Sequence, residues 1–292
     1  MLRTLTFLSG LILCGSADSQ SVQVTAYNAA DSIVVRWAPS SVQAWERFNQ
    51  YGCRIERVDV NSDERDARNL NTDTLKPITL EVMKQRLVNN PYAPIIAQAL
   101  HGSEMAPNAG NLGAQMAAAD QATLRWSLCA LYADIDPAIA NALGYRWVDK
   151  DVNATGYYLY RVISLDPEHG DTAIVAVDRA QGLDAVPHGP SLTAVEKEGS
   201  IGVRWERELV YGSFSAFWIE RRQGSGAWQR LNNVPFVPMD NERGAASYYT
   251  YTDTTIARDY LPYTYRVLGI TPFGMVSTEA PEINAFGRDR TA

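Results

Sequence analysis

Histidine is scarce in this chain, with three in 292 residues, at His101, His169 and His188. None stands in a His-Glu-x-x-His run, and no serine or cysteine occupies a nucleophile-elbow pattern. That leaves no histidine-based triad and no zinc-hydrolase motif to argue from. Cysteine is equally sparse, at positions 14, 53 and 129, too few and too scattered for a structural zinc site. A basic surplus is also missing. The formal net charge is −7 and the pI about 5.1, so neither nucleic acid nor an anionic membrane surface is the expected partner. After the N-terminus, no apolar run reaches the ~20 residues that a membrane-spanning helix needs. EF-hand spacing is absent, so Asp63, Glu64 and Asp66, interleaved with Arg65 and Arg68, read as a solvated loop. No cofactor is expected.

What is present is apolar content of 46% against 20% charged residues, enough for packed cores, over a length that suits two domains. The N-terminus reads as a signal peptide, residues 1–19. Arg3 supplies the positive charge, Phe7 to Leu13 a short apolar run, and Gly15, Ser16, Ala17 and Ser19 the small residues before a cleavage point. The alternative is a lipoprotein signal ending Leu11-Ile12-Leu13-Cys14, although Leu13 is larger than the residue usual before a lipidated cysteine. After cleavage Cys53 and Cys129 remain. A secreted setting permits a disulfide between them, and two buried thiols are the competing reading.

The rest of the chain is a repeat. Tyr158-Leu-Tyr-Arg-Val-Ile-Ser-Leu165 returns as Tyr263-Thr-Tyr-Arg-Val-Leu-Gly-Ile270. Aligning them brings Asp31–Trp37 onto Gly199–Trp205, and Cys53–Val58 onto Phe217–Arg222 with a shared Ile-Glu-Arg. It also brings Tyr145–Asp149 onto Tyr249–Asp253, and a closing strand at Asp171–Val177 onto Gly274–Ala280. Short segments with alternating faces at this spacing predict an antiparallel β-sandwich in each copy.

Both copies resemble fibronectin type III domains of the kind carried in tandem by bacterial secreted and surface proteins. The residues that carry the resemblance are Trp37 and Trp205 on the second strand and Tyr160 and Tyr265 in the Tyr-Arg-Val strand. The later copy adds Tyr251 to Asp253 and Leu261, at the place of a corner-packing leucine. The resemblance covers residues 189 to 287 in one copy, and about 22 to 60 and 145 to 180 in the other. It implies a mainly β fold and central, core-packed tryptophans. It does not imply a particular function, because the fold hosts many.

The two copies differ in length. From Trp37 to Tyr160 is 123 residues and from Trp205 to Tyr265 is 60, so the first copy holds 63 extra. A structureless loop of that size does not suit a compact domain. The added stretch, about 60–144, reads as helical. Thr79 caps Leu80–Leu87, Pro91 opens a helix to His101, Gln115–Tyr132 carries Leu124, Leu128 and Leu131 at helical spacing, and Asp136 caps a short helix to Gly144. The expected organisation is a sandwich over 20–181 interrupted by a helical subdomain, a linker over 182–190, a second sandwich over 191–287 and a tail over 288–292. The linker, with two Pro and two Gly, predicts domains set end to end with limited freedom.

Carboxylates are too numerous to single out a catalytic pair. The repeated Asp149 and Asp253 suggest a turn or edge role, and Asn153-Ala-Thr155 fits a glycosylation sequon. Trp45, Tyr211 and Phe214 fall between the second and third strands, where an exposed aromatic would meet a partner. The reading is a non-catalytic, secreted or cell-surface module that binds a protein partner or joins a surface assembly, through its helical insertion. A glycan bound by Trp45 and an enzyme with its site between helices and sandwich are the alternatives.

Overall fold

The computed structural model describes residues 21–62, 66–102, 112–237 and 247–288, and side chains over these ranges except 112–120. The leader with Cys14, the loop residues Asp63 and Glu64, and residues 289–292 lie outside the described residues. Each copy forms two facing antiparallel sheets, as alternating apolar strands require when one face must be buried. In the first copy the strands are β1 (Val22–Asn28), β2 (Ile33–Pro39), β3 (Cys53–Asp59), β4 (Arg68–Asn69), β5 (Arg146–Asp149), β6 (Tyr157–Ser164) and β7 (Thr172–Asp178). They make a β1-β2-β5 sheet and a β4-β3-β6-β7 sheet. The second copy repeats the plan with β8 (Thr193–Lys197), β9 (Ser200–Glu206), β10 (Ala216–Arg222), β11 (Gln229–Arg230), β12 (Tyr248–Asp253), β13 (Tyr263–Ile270) and β14 (Ile283–Ala285). Its sheets run β8-β9-β12 and β11-β10-β13-β14.

The two tryptophans hold matching central positions. Trp205 pairs across the sheet with Tyr249, and Trp37 donates its backbone N–H to Tyr145 at 3.0 Å; both indoles are buried. Tyr160, Tyr265 and Leu261 likewise pack into the cores, Leu261 from the half-buried margin. The closing strand of the second copy differs from expectation. Val276 makes one bridge to Ile270, the chain then leaves the sheet, and pairing resumes at Ile283–Ala285. Pro281 lies in the gap and lacks the N–H that a continuous ladder needs. The linker occupies the space: Gly189 donates to Glu279 O at 2.8 Å, and the Ser277 hydroxyl donates to Pro187 O at 2.9 Å. A Cβ at position 189 would strike Val267 O and Ala280, so glycine is required there.

The helices are α1 (Val42–Tyr51), α2 (Leu80–Arg86), α3 (Ala93–His101), α4 (Leu112–Ile135) and α5 (Pro137–Ala142). The predicted caps hold: Thr79 accepts from Val82 N, and Asp136 accepts from Ala138 N and Ile139 N. Two features differ from the sequence reading. Residues 68–75 belong to the sandwich, because β4 pairs with β3 and Leu75 bridges Cys53, as Phe236 bridges Phe217 in the other copy. Helix α1 is new, capped by Ser41, whose hydroxyl accepts from Ala44 N. Met83, Ile96, Cys129 and Ile139 share one continuous core with Trp37 and Tyr160, so the helices extend the first sandwich instead of forming a separate body.

Candidate functional site

The buried charges come first, because a sandwich core tolerates them only when paired. Asp149 Oδ2 accepts from Arg57 Nη1 at 2.8 Å and from the Tyr160 hydroxyl at 2.8 Å. The second copy repeats this: Asp253 Oδ2 accepts from Arg221 at 2.8 Å and from the Tyr265 hydroxyl at 2.7 Å. The expected turn role is present at each strand end, where Asp149 Oδ1 accepts from Asp151 N at 3.0 Å and Asp253 Oδ1 from Thr255 N at 2.8 Å, and the structure adds a buried role to it. Both aspartates are buried hubs that tie three strands together, and they are committed to structure. Asp151, outside, takes Arg68 at 2.7 Å and Arg57 at 3.3 Å.

A seam joins the helices to the second sandwich. Ile135 at the end of α4 forms a small buried cluster with Ala216 and Ile270, edged by Tyr92, Tyr132 and Trp218. Beside it, Asp134 accepts from Arg36 Nη2 at 3.1 Å and from the Ser215 hydroxyl at 2.9 Å. Arg36 is buried on β2, so one carboxylate links first sandwich, insertion and second sandwich. Desolvation pushes the Asp134 pKa up and pulls that of Arg36 down, each opposed by the other's charge. Ser215→Ala removes one of the two donors to Asp134. It is expected to cost about 1 kcal/mol, read as an earlier thermal transition of the second sandwich; an unchanged transition would show that the bond carries no stability.

The outward side of the insertion is mostly polar, with Glu81, Lys84, Arg86 and Gln98 in solvent, but it holds two grooves with apolar residues in their lining. One groove between α3 and α4 has a volume of about 500 Å³ and is lined by Pro94, Ile95, Ala99, Leu124 and Leu128. A second, between α2 and α3, is about 320 Å³ and includes Met83, Leu87, Val88 and Ala97. Val88, Ile95 and Leu124 stand 75%, 37% and 58% exposed around them. Of the Leu124–Leu128–Leu131 stripe, Leu124 and Leu128 thus line the outer groove while Leu131 packs on the Ile135 cluster; Trp126, Cys129 and Ala133 face the first sandwich.

The predicted aromatic sites separate. Trp45 is 4% exposed, packed on α1 within the core with Arg125 5.9 Å from its ring, so it faces no ligand. Phe214 is half-buried over Gly269 and 5.8 Å from Phe217. Tyr211 is exposed, with Arg207 5.6 Å from its ring. Cys53 and Cys129 are free and buried. Each thiol lies beside its own indole, Trp37 and Trp45 respectively, and burial pushes both pKa values up, that of Cys129 to about 12. The permitted disulfide is therefore replaced by two shielded thiols.

An array on the outer face of β10, β11 and β13 escaped the sequence reading. Arg230 stacks 4.1 Å from the Trp218 ring, and Trp228 lies between Arg222 at 4.5 Å and Arg266 at 4.2 Å. Glu220 accepts from Arg266 at 2.8 and 2.7 Å. Its signal was the alternation of Trp218, Glu220 and Arg222 on the outer side of one strand.

Two sandwiches with this strand order, each with a tyrosine hydroxyl returning to the backbone upstream (Tyr158 accepting from Asn153 N at 2.7 Å, Tyr263 from Ala257 N at 2.9 Å), define the class. The chain is a tandem of β-sandwiches, fibronectin type III-like in fold, the first enlarged by helices. No known family profile matches it, and no curated protein matches it in sequence. Among solved structures it is similar to the FN1–FN3 domains of chicken CNTN1, with 11% identity, a TM-score of 0.39, and 92% of this chain and 66% of that chain covered. It is also similar to the chicken interferon gamma receptor alpha chain (7% identity, TM-score 0.27, 90% and 96% covered). A third is the two fibronectin type III domain segment of chicken tenascin (8%, 0.25, 91% and 98%). The class rests on strand order and register. No helix among the described residues is long and apolar enough to cross a membrane.

Proposed function

We propose that this chain is a non-catalytic, secreted or cell-surface interaction module whose helical insertion holds its two sandwiches together and presents the outer face of α2, α3 and α4 to a protein partner. The observation that carries this reading is the division of the insertion into two faces. One is packed into the first sandwich and against the second. The other keeps Val88, Ile95 and Leu124 in solvent around two grooves. Exposed apolar surface collected in one place is costly unless something covers it. The leader-like N-terminus supports export, and the pairing of the buried carboxylates with arginines supports a structural use for them.

The test is a pull-down from the native surface fraction with the full chain and with a double variant, Ile95→Asp and Leu124→Asp. The positions are exposed, so stability should move by less than about 1 kcal/mol. Capture of a defined species by the wild type, lost in the variant, is the expected result. Capture that survives both charges would remove the groove from the reading.

A further inference from the structure

We infer that the arginine–tryptophan face of the second sandwich is a second docking surface, and that it takes an extended, carboxylate-bearing segment of a protein partner. The comparison between copies is the first ground. In the register of the first sandwich, Glu56 stands opposite Arg161 and Asn69, just as Glu220 stands opposite Arg266 and Arg230. The Glu–Arg pair is thus common to both sheets, Arg161 also donating to Glu56. Val58 occupies the position of Arg222, and Arg54 that of Trp218. The first sheet therefore holds together with Arg54 and Arg161 on Glu56 and with no tryptophan. The added guanidiniums and indoles of the second sheet are not demanded by the fold.

The second ground is the donors left open. A guanidinium stacked on an indole has its flat face covered and its in-plane N–H groups directed outward. Arg222 gives Nη2 to Glu282 at 2.7 Å and its Nε is buried, so it contributes charge to the face and not an open donor. Arg230, nearly half exposed, makes a single long bond of 3.4 Å to Glu220. Arg230 therefore retains a fork edge that fits a carboxylate.

Charge pattern selects among anions. Glu220 and Glu282 interleave the three arginines, and the chain as a whole carries −7. A uniform polyanion would run over both glutamates. A peptide can set a single carboxylate on Arg230 and place an apolar or aromatic side chain beside the half-buried Trp228. Trp218 anchors the array at the seam with α4, so the face is held rigid where it adjoins the insertion.

The probe is a fluorescein-labelled dodecapeptide of alternating glutamate and tyrosine, titrated with the full chain by anisotropy. A lysine–tyrosine peptide and a heparin fragment serve as the other arms. Saturable binding of the acidic peptide below about 1 mM is expected, weakened at least about tenfold by Arg230→Gln and by Trp228→Ala. It should also weaken as salt rises from about 50 to 300 mM. Circular dichroism of each variant separates misfolding from lost binding, and Arg230 lies on an exposed edge strand where substitution should leave the fold intact. No saturable binding, equal binding by both variants when folded, or tighter binding of heparin than of the peptide would each overturn the proposal. Because Ile95→Asp with Leu124→Asp should leave peptide binding unchanged, failure here is distinguishable from failure of the insertion as a recognition surface.

Discussion

Replacing Asp253 by alanine is expected to destabilise the second sandwich by about 3–5 kcal/mol. The carboxylate is buried, and its loss leaves both the Arg221 guanidinium and the Tyr265 hydroxyl without their acceptor. Its other oxygen accepts from the Thr255 backbone and hydroxyl at 2.8 and 2.7 Å, so the strand end β12 loses its anchor as well. Asp253→Asn keeps an acceptor for Tyr265 and should cost less, which separates loss of charge from loss of hydrogen bonding. The measurement is chemical denaturation of the full chain, followed through the transition of the second sandwich. A midpoint shift worth less than about 1 kcal/mol would remove Asp253 from its role as a hub.

The same hub makes acid and alkali sensitivity predictable. Burial acts to raise the Asp253 pKa, but hydrogen bonds from Thr255 and Tyr265 and the charge of Arg221 outweigh it and hold the value below the ordinary carboxylate range. The group therefore contributes stability that is present above its unfolded pKa of about 4 and is lost as pH falls toward its folded value. Tyr265 works in the opposite direction. Burial, reinforced by its bond to Asp253, raises its pKa, so its contribution is intact below about pH 10 and declines as pH rises further.

Trp205→Ala is expected to cost about 3–5 kcal/mol in the same sandwich. The indole is fully buried and its ring lies 5.1 Å from Phe217, 5.7 Å from Phe236 and 6.2 Å from Tyr249, at the meeting of both sheets. Removing it opens a cavity lined by rings that cannot collapse without leaving their own strands. Differential scanning calorimetry should show the second sandwich melting well before the first, two transitions where the wild type keeps them closer. Trp37→Ala should do the converse, and the helices should melt with the first sandwich because their apolar residues share its core. A variant in which the helices stay folded after the first sandwich unfolds would contradict the single-core description.

Much of this was open to reading along the chain. Ile-Glu-Arg at 55–57 and 219–221, the tryptophans at 37 and 205, and Tyr-Arg-Val at 160–162 and 265–267 repeat because each position answers a local demand. The demands are period-two burial, a central large residue and a cross-strand pair. Caps are local too, which is why Thr79 and Asp136 marked helix starts. Helix α1 was missed although Ser41 supplies a cap and Gly52, at a φ of 72°, a stop. Trp45 was read there as a loop aromatic between two strong strands. The hub was half visible: the repeated aspartates stood out, but their arginine and tyrosine partners lie on other strands, far off in sequence.

The amino-acid order determined, by itself, that there are two sandwiches and that one is interrupted by helices, since both follow from periodicity and spacing within short windows. Only tertiary structure decided which face of α4 is buried, that Asp134 joins Arg36 to Ser215 across three parts of the chain, and that Trp218, Trp228 and five neighbouring charges share one face. Those arrangements depend on strands brought side by side from distant positions, and on helices competing for two surfaces at once. No local pattern of residues encodes the outcome of that competition.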